Sequence, residues 1–151
     1  MENHEFYMKE ALLEAQKAYE IGEVPIGAVI VQHGKIVGRG YNMRETAKRA
    51  IAHAEIMAIE DACKNLGGWR LVDCDMYVTL EPCLMCGGAI YQSRIVNLVY
   101  GAKDQKSGAF GSLYDLSQDE RLNHKVSLVS DVLEEECSQL IKSFFKALRS
   151  K

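Results

Sequence analysis

Two short segments constrain this chain more than any other part of it: His53-Ala54-Glu55, and Pro82-Cys83-Leu84-Met85-Cys86. Together they supply one imidazole, two thiols and one further carboxylate. One nitrogen and two sulfurs are three ligands of a tetrahedral zinc site, which leaves the fourth position for water. A carboxylate beside that position can move protons, so the set points to metal-assisted hydrolysis. Any fold that uses these residues must bring two distant stretches to one point.

The spacing indicates how. Cys83 and Cys86 are three positions apart and share one side of a helix that begins there. Pro82 favours such a start. The free N–H groups and the dipole at that end stabilise thiolates. His53 precedes Ile56, Ile59, Ala62, Cys63 and Leu66, which are apolar at helical spacing, so it opens a second helix. His53 and Glu55 do not share a helix side, and both reach one ion only if the helix end faces it. Other readings stay open from these residues alone. C-x-x-C also serves as a redox pair or as half a zinc knuckle. A histidine before an apolar helix can simply pack, and Cys74 as a fourth ligand would close the site to water.

Composition narrows the class. At 151 residues the chain reads as one domain, 1–151, with enough length for a proper core. No apolar run reaches membrane-spanning length, and the opening MENHEFYMKEALLEAQ is amphipathic and acidic, unlike a signal or transit peptide. Five cysteines without scaffold spacing fit a reducing, cytoplasmic setting. Cys63 and Cys137 read as core residues. The net charge of −3 argues against coating nucleic acid through bulk electrostatics. Local basic clusters do exist: Arg39, Arg44, Lys48 and Arg49; Lys103 and Lys106; Lys142, Lys146, Arg149 and Lys151. Each also reads as a solvated face, and the last suits a helix C-terminus after Glu134-Glu135-Glu136.

Periodicity gives the element order α-β-β-α-β-α-β-α-β-α. Asn3 caps a first helix that stops near Gly22. Strands at 26–31 and 36–41 form a hairpin across His33-Gly34. A polar loop at 42–51 leads to a helix at 53–66 that Gly67-Gly68 ends. Strands follow at 76–80, 96–101 and, more weakly, 126–129, with a short helix near Leu113 and a last helix capped by Asp131. The predicted fold is α/β, three layers α/β/α around a five-stranded mixed sheet. In such sheets ligands sit at strand ends and helix N-termini, where both halves of the metal motif fall.

At H-A-E and P-C-L-M-C the chain resembles the cytidine deaminase-like superfamily. GEVPIGAVIV at 22–31, YNMRET at 41–46, TLEPCLMCGGAI at 79–90, VYGAKD at 99–104, LNHKV at 122–126 and SFFKALR at 143–149 are similar to the bacterial tRNA-specific adenosine deaminases within it. The resemblance implies a zinc enzyme of one ion per chain, a homodimer, that converts adenosine to inosine at the wobble position of an arginine tRNA. It implies His53, Cys83 and Cys86 as ligands and Glu55 as the proton shuttle. It carries over Asn42 as a base-edge contact, Asp104 near the substrate ribose, and Phe145 and Arg149 as RNA contacts. Taken alone, Asn42 reads as a turn residue and Phe145 as a core aromatic. The only sequence support for a dimer is apolar Ala89-Ile90-Tyr91, which reads equally well as core. Two departures stand out: Ala50-Ile51 where members often have Pro-Thr, and an end at Lys151 where many carry a basic tail, with some RNA-backbone affinity expected to be lost. The rivals are a small-molecule deaminase of cytosine, deoxycytidylate or guanine, which needs no RNA surface, and a non-catalytic zinc module, which has no use for Glu55.

Overall fold

The structure is a computed structural model and describes residues 3–150; Lys151 of the C-terminal basic cluster lies outside that range. Helix α1 (His4–Glu20) leads into the hairpin β1 (Gly27–Gln32) and β2 (Lys35–Tyr41). His33 and Gly34, both at positive φ, make the two-residue turn that matches the strand twist. A single helical turn, α2 (Arg44–Ala47), precedes α3 (Ala54–Leu66). Then come β3 (Cys74–Leu80), α4 (Leu84–Gln92), β4 (Asn97–Ala102), β5 (Ser127–Val129) and α5 (Glu134–Arg149).

The sheet order is β2-β1-β3-β4-β5. β1 is antiparallel to both β2 and β3, whereas β3, β4 and β5 run parallel through α4 and the connection after β4. Alternation along β1 divides the core in two. Ala28 and Ile30 face α3 and α4 with Met76, Val78 and Leu98. Val29 and Val31 face α1 and α5 with Tyr77, Val99 and Cys137. The three-layer expectation therefore holds. Helix α3 lies so close to β2 that a Cβ on Gly40 would come 2.5 Å from the backbone nitrogen of Ala58. That close seat fixes where α3 begins, and so where His53 and Glu55 stand. Among the described residues no helix is long and apolar enough to cross a membrane.

Two local expectations fail. No helix forms at Leu113; a 3-10 turn at Leu116–Gln118 follows instead, capped by the Asp115 carboxylate, which accepts from Ser117 N. Asp131 does not cap α5. Leu133 holds that position in left-handed geometry, and the Asp131 carboxylate pairs with Lys103 Nζ at 3.1 Å. Of the two readings of Ala89-Ile90-Tyr91, Ile90 and Tyr91 take the core one: both are buried in the chain's own core with Phe110.

Candidate active site

Two helix N-termini meet beside the ends of β1 and β3. His53 is the N-cap of α3 and Cys83 the N-cap of α4, both with extended backbone, so their side chains turn back past the helix ends. Cys86 follows within the first turn of α4, and Glu55 within the first turn of α3. This is the end-on arrangement that His53 and Glu55 required. His53 Nδ1 lies 3.7 Å from Cys83 Sγ and 3.4 Å from Cys86 Sγ. Two ligands of one tetrahedral zinc, with Zn–N about 2.0 Å and Zn–S about 2.3 Å, sit about 3.6 Å apart. The donor set fits that ion in both chemistry and separation, with all three ligand atoms within 4.8 Å of one another. Cys74 is not among them. It opens β3, a strand length away from Leu80 (about 20 Å), and its thiol turns to the Val72 carbonyl. The three-ligand set thus keeps a position open to water.

The electrostatics fit a cation and a proton carrier. The hydrogen bond from Cys86 holds Cys83 down to about 4, with His53 reinforcing it. The same bond, then burial and the Glu55 charge, pushes Cys86 up. His53 is raised, chiefly by its hydrogen bond with Cys83. The protein alone thus favours one thiolate of the two, and a divalent cation would supply the charge that ionises the second thiol. Glu55 is 4 % exposed, and burial pushes its carboxyl up to about 7. A group near neutrality can both take and return a proton.

His53, Glu55 and Cys83 line a cavity of about 590 Å³, within the range of small-ligand sites. Asn42, Asp104 and Phe145 line it; Arg149 does not, lying at the exposed end of α5. The Asn42 amide donates to the Val24 carbonyl and accepts from Arg44 N. Asp104 Oδ1 accepts from the amides of Lys106 and Ser107. Phe145 is 39 % exposed at the mouth, while its neighbour Phe144 packs inward against Tyr19. The three basic clusters, far apart in sequence, each send residues here: Arg44 from one, Lys103 and Lys106 from the next, Lys142 from the last. Other members are already paired, Arg39 with Glu10 and Glu14, and Arg49 with Glu60. Two buried carboxylates escaped the sequence reading. Glu23 accepts from the amides of Glu45 and Thr46 and holds α2. Glu81 holds the loop at 104–112. An acid lodged between a core strand and Pro82 was the available signal for Glu81.

Residues 1–102 match the cytidine and deoxycytidylate deaminase zinc-binding region. The chain is 55 % identical over all 151 residues to the tRNA-specific adenosine deaminase of Bacillus subtilis (strain 168), covering 94 % of that protein. It superposes with a TM-score of 0.86, at 42 % identity, on a solved tRNA:A34 deaminase studied for A-to-I editing at the wobble position, covering 89 % of this chain and 98 % of that one. A guanine deaminase structure from Bacillus subtilis is also similar, at 34 % identity and TM-score 0.65 over 99 % of this chain and 96 % of that one.

Proposed function

The chain belongs to the cytidine and deoxycytidylate deaminase family, and within it to the tRNA-specific adenosine deaminases, and on that premise we propose that it deaminates adenosine to inosine at the wobble position of a tRNA anticodon. Residues 1–151 act as one catalytic domain. His53, Cys83 and Cys86 would hold one zinc, preferred by two thiolates and an imidazole. When bound, the ion would lower the pKa of a water towards neutrality and leave it reactive. The observation that carries the reading is the buried Glu55 carboxyl beside this ligand set.

The reaction exchanges the C6 amino group of adenine for oxygen from water, with loss of ammonia. Glu55 takes one proton from the water and delivers it to ring N1. It then takes the second proton from the hydroxyl now on C6 and passes it to the amino group, which leaves as ammonia while the C6 oxygen becomes the carbonyl. Asn42 faces the base, and its amide is held in place by Val24 and Arg44. Asp104 lies on the ribose side. Phe145 offers a ring to an unstacked neighbouring base, and the mouth lysines meet phosphate. The target must leave its stack to enter the cavity, which an anticodon loop permits and a duplex resists.

A homodimer is part of this reading. Leu84 and Met85 of α4, at 51 % and 37 % exposed, and Leu113 and Tyr114, at 57 % and 53 %, leave apolar surface uncovered. Light scattering at micromolar concentration tests it, and a monomer contradicts it. A tRNA substrate places the enzyme in the cytoplasm. The function is tested by incubating the protein with total tRNA and sequencing for A-to-G changes. The expectation is a change at the first anticodon position, in an arginine tRNA, and its absence from every tRNA contradicts the reading.

A further inference from the structure

Glu81 is a buried carboxylate, 2 % exposed, that stands outside the metal set at the edge of the cavity. It leaves β3 just before Pro82 and Cys83, and its own amide is tied to the Ala102 carbonyl at the end of β4. Its carboxylate accepts four hydrogen bonds, all from one loop. Oε1 takes the Asp104 amide at 3.1 Å and the Ser112 hydroxyl; Oε2 takes the Phe110 amide at 2.9 Å and the Ser112 amide at 3.1 Å. No cation faces it among the described ion pairs, so loop donors alone satisfy the charge. The loop crosses directly over it: a Cβ on Gly108 would lie 2.3 Å from the carboxyl carbon. Gly108 is also bridged to Cys83, and the Ala109 amide donates to the Pro82 carbonyl.

That loop faces the cavity through Asp104, Lys106 and Ser107. The first of its anchors is the Asp104 amide, and the Asp104 side chain in turn closes the turn onto Lys106 and Ser107. We propose that Glu81 is a positioning residue for substrate selectivity: it clamps the 104–112 loop to the segment that carries Cys83, and so sets Asp104, Lys106 and Ser107 where an RNA strand entering the cavity meets them. The inference rests on the RNA-deaminase reading. Two neighbouring residues then have separate duties, Cys83 towards the ion and Glu81 towards the strand.

Glu81→Gln is the informative variant, since it keeps the shape. Its NH₂ group cannot accept, so it can face the Ser112 hydroxyl, which can rotate to accept, but it loses the Asp104 amide. The variant is expected to keep one zinc per chain and to show faster hydrogen exchange at the Asp104 amide. Its KM for an anticodon stem-loop should rise about 10-fold, with kcat within about threefold of wild type. Ser112→Ala removes only the hydroxyl, leaves Glu81 in place, and is expected to raise KM about two- to threefold. It carries the test if the Gln variant does not fold. Unchanged KM, a fall in kcat at constant KM, or loss of zinc overturns the inference while an active wild type leaves the functional reading standing. A wild type inactive on the stem-loop breaks the functional reading, and this inference with it.

Discussion

The floor and the mouth of the cavity are built in opposite ways. The floor is His53, Glu55 and Cys83, with Cys86 completing the ligand set, drawn from the first turns of two helices and buried or half-buried. Its parts are set by local backbone geometry and by a close helix–sheet seat. The mouth is Arg44, Lys106, Lys142 and Phe145, exposed or partly so, drawn from α2, a loop and α5. Its parts meet only because the sheet order places those elements together, and two buried carboxylates, Glu23 and Glu81, hold two of them. A floor of this kind performs chemistry, and a mouth of this kind selects what reaches it. Changes in the floor should therefore abolish turnover, and changes in the mouth should shift affinity.

The largest effect is expected from the ligands. Cys83→Ala, Cys86→Ala or His53→Ala should lose zinc and all measurable deamination, read by metal analysis and inosine formation. Full metal and full activity in any of them would break the floor as described. Glu55→Gln comes next, with zinc retained and rate reduced about 10²–10⁴-fold. Zinc loss there would make Glu55 a ligand, and activity within a few fold of wild type would name another proton carrier.

Removing the metal sharpens the contrast in another way. With Cys83 held down to about 4, its thiol is ionised throughout pH 6–8. After chelation, its alkylation rate should be nearly flat over that range, where an ordinary thiol gains about 100-fold. Cys74 and Cys137, pushed up to about 11 and 12 by burial, should stay unmodified. Peptide mass mapping reads all of them, and a steep rise at Cys83 would contradict the assignment.

The mouth should respond more mildly. Lys106→Ala with Lys142→Ala is expected to raise the Kd for a stem-loop about 10-fold and to lower the salt slope by about 1.4, near 0.7 per single-strand phosphate contact. Zinc and fold should be untouched. Lys146→Ala with Arg149→Ala should cost only a few fold, because neither residue lines the cavity and about one phosphate contact's worth of affinity is at stake. Equal losses from the two pairs would mean that the strand runs on along α5.

The same contrast explains what was legible in the sequence. The floor was readable because Cys83 and Cys86 at one-turn spacing, and His53 ahead of an apolar helix, are local signals. The hairpin and the three layers followed from periodicity. The mouth was not readable from the residues alone. Arg39, Arg44, Lys48 and Arg49 look alike in sequence, yet acids on α1 claim Arg39 and Glu60 on α3 claims Arg49. Phe144 and Phe145 are equivalent until the roll of α5 is known. Helix α2 is one turn without an apolar period, and the α5 start was misplaced because left-handed Leu133, not Asp131, sets it. A lone acid at Glu81 has no periodic signature at all.

On this reading the floor works on an adenine presented by an RNA loop. Its most direct test is one assay that gives the wild-type enzyme an anticodon stem-loop with adenosine at the wobble position, free adenosine, cytidine, cytosine and guanine at equal concentration. Inosine is expected in the stem-loop, with turnover of the free compounds negligible beside it. Faster deamination of any free base or nucleoside, guanine above all given the 34 % identical guanine deaminase, would contradict it.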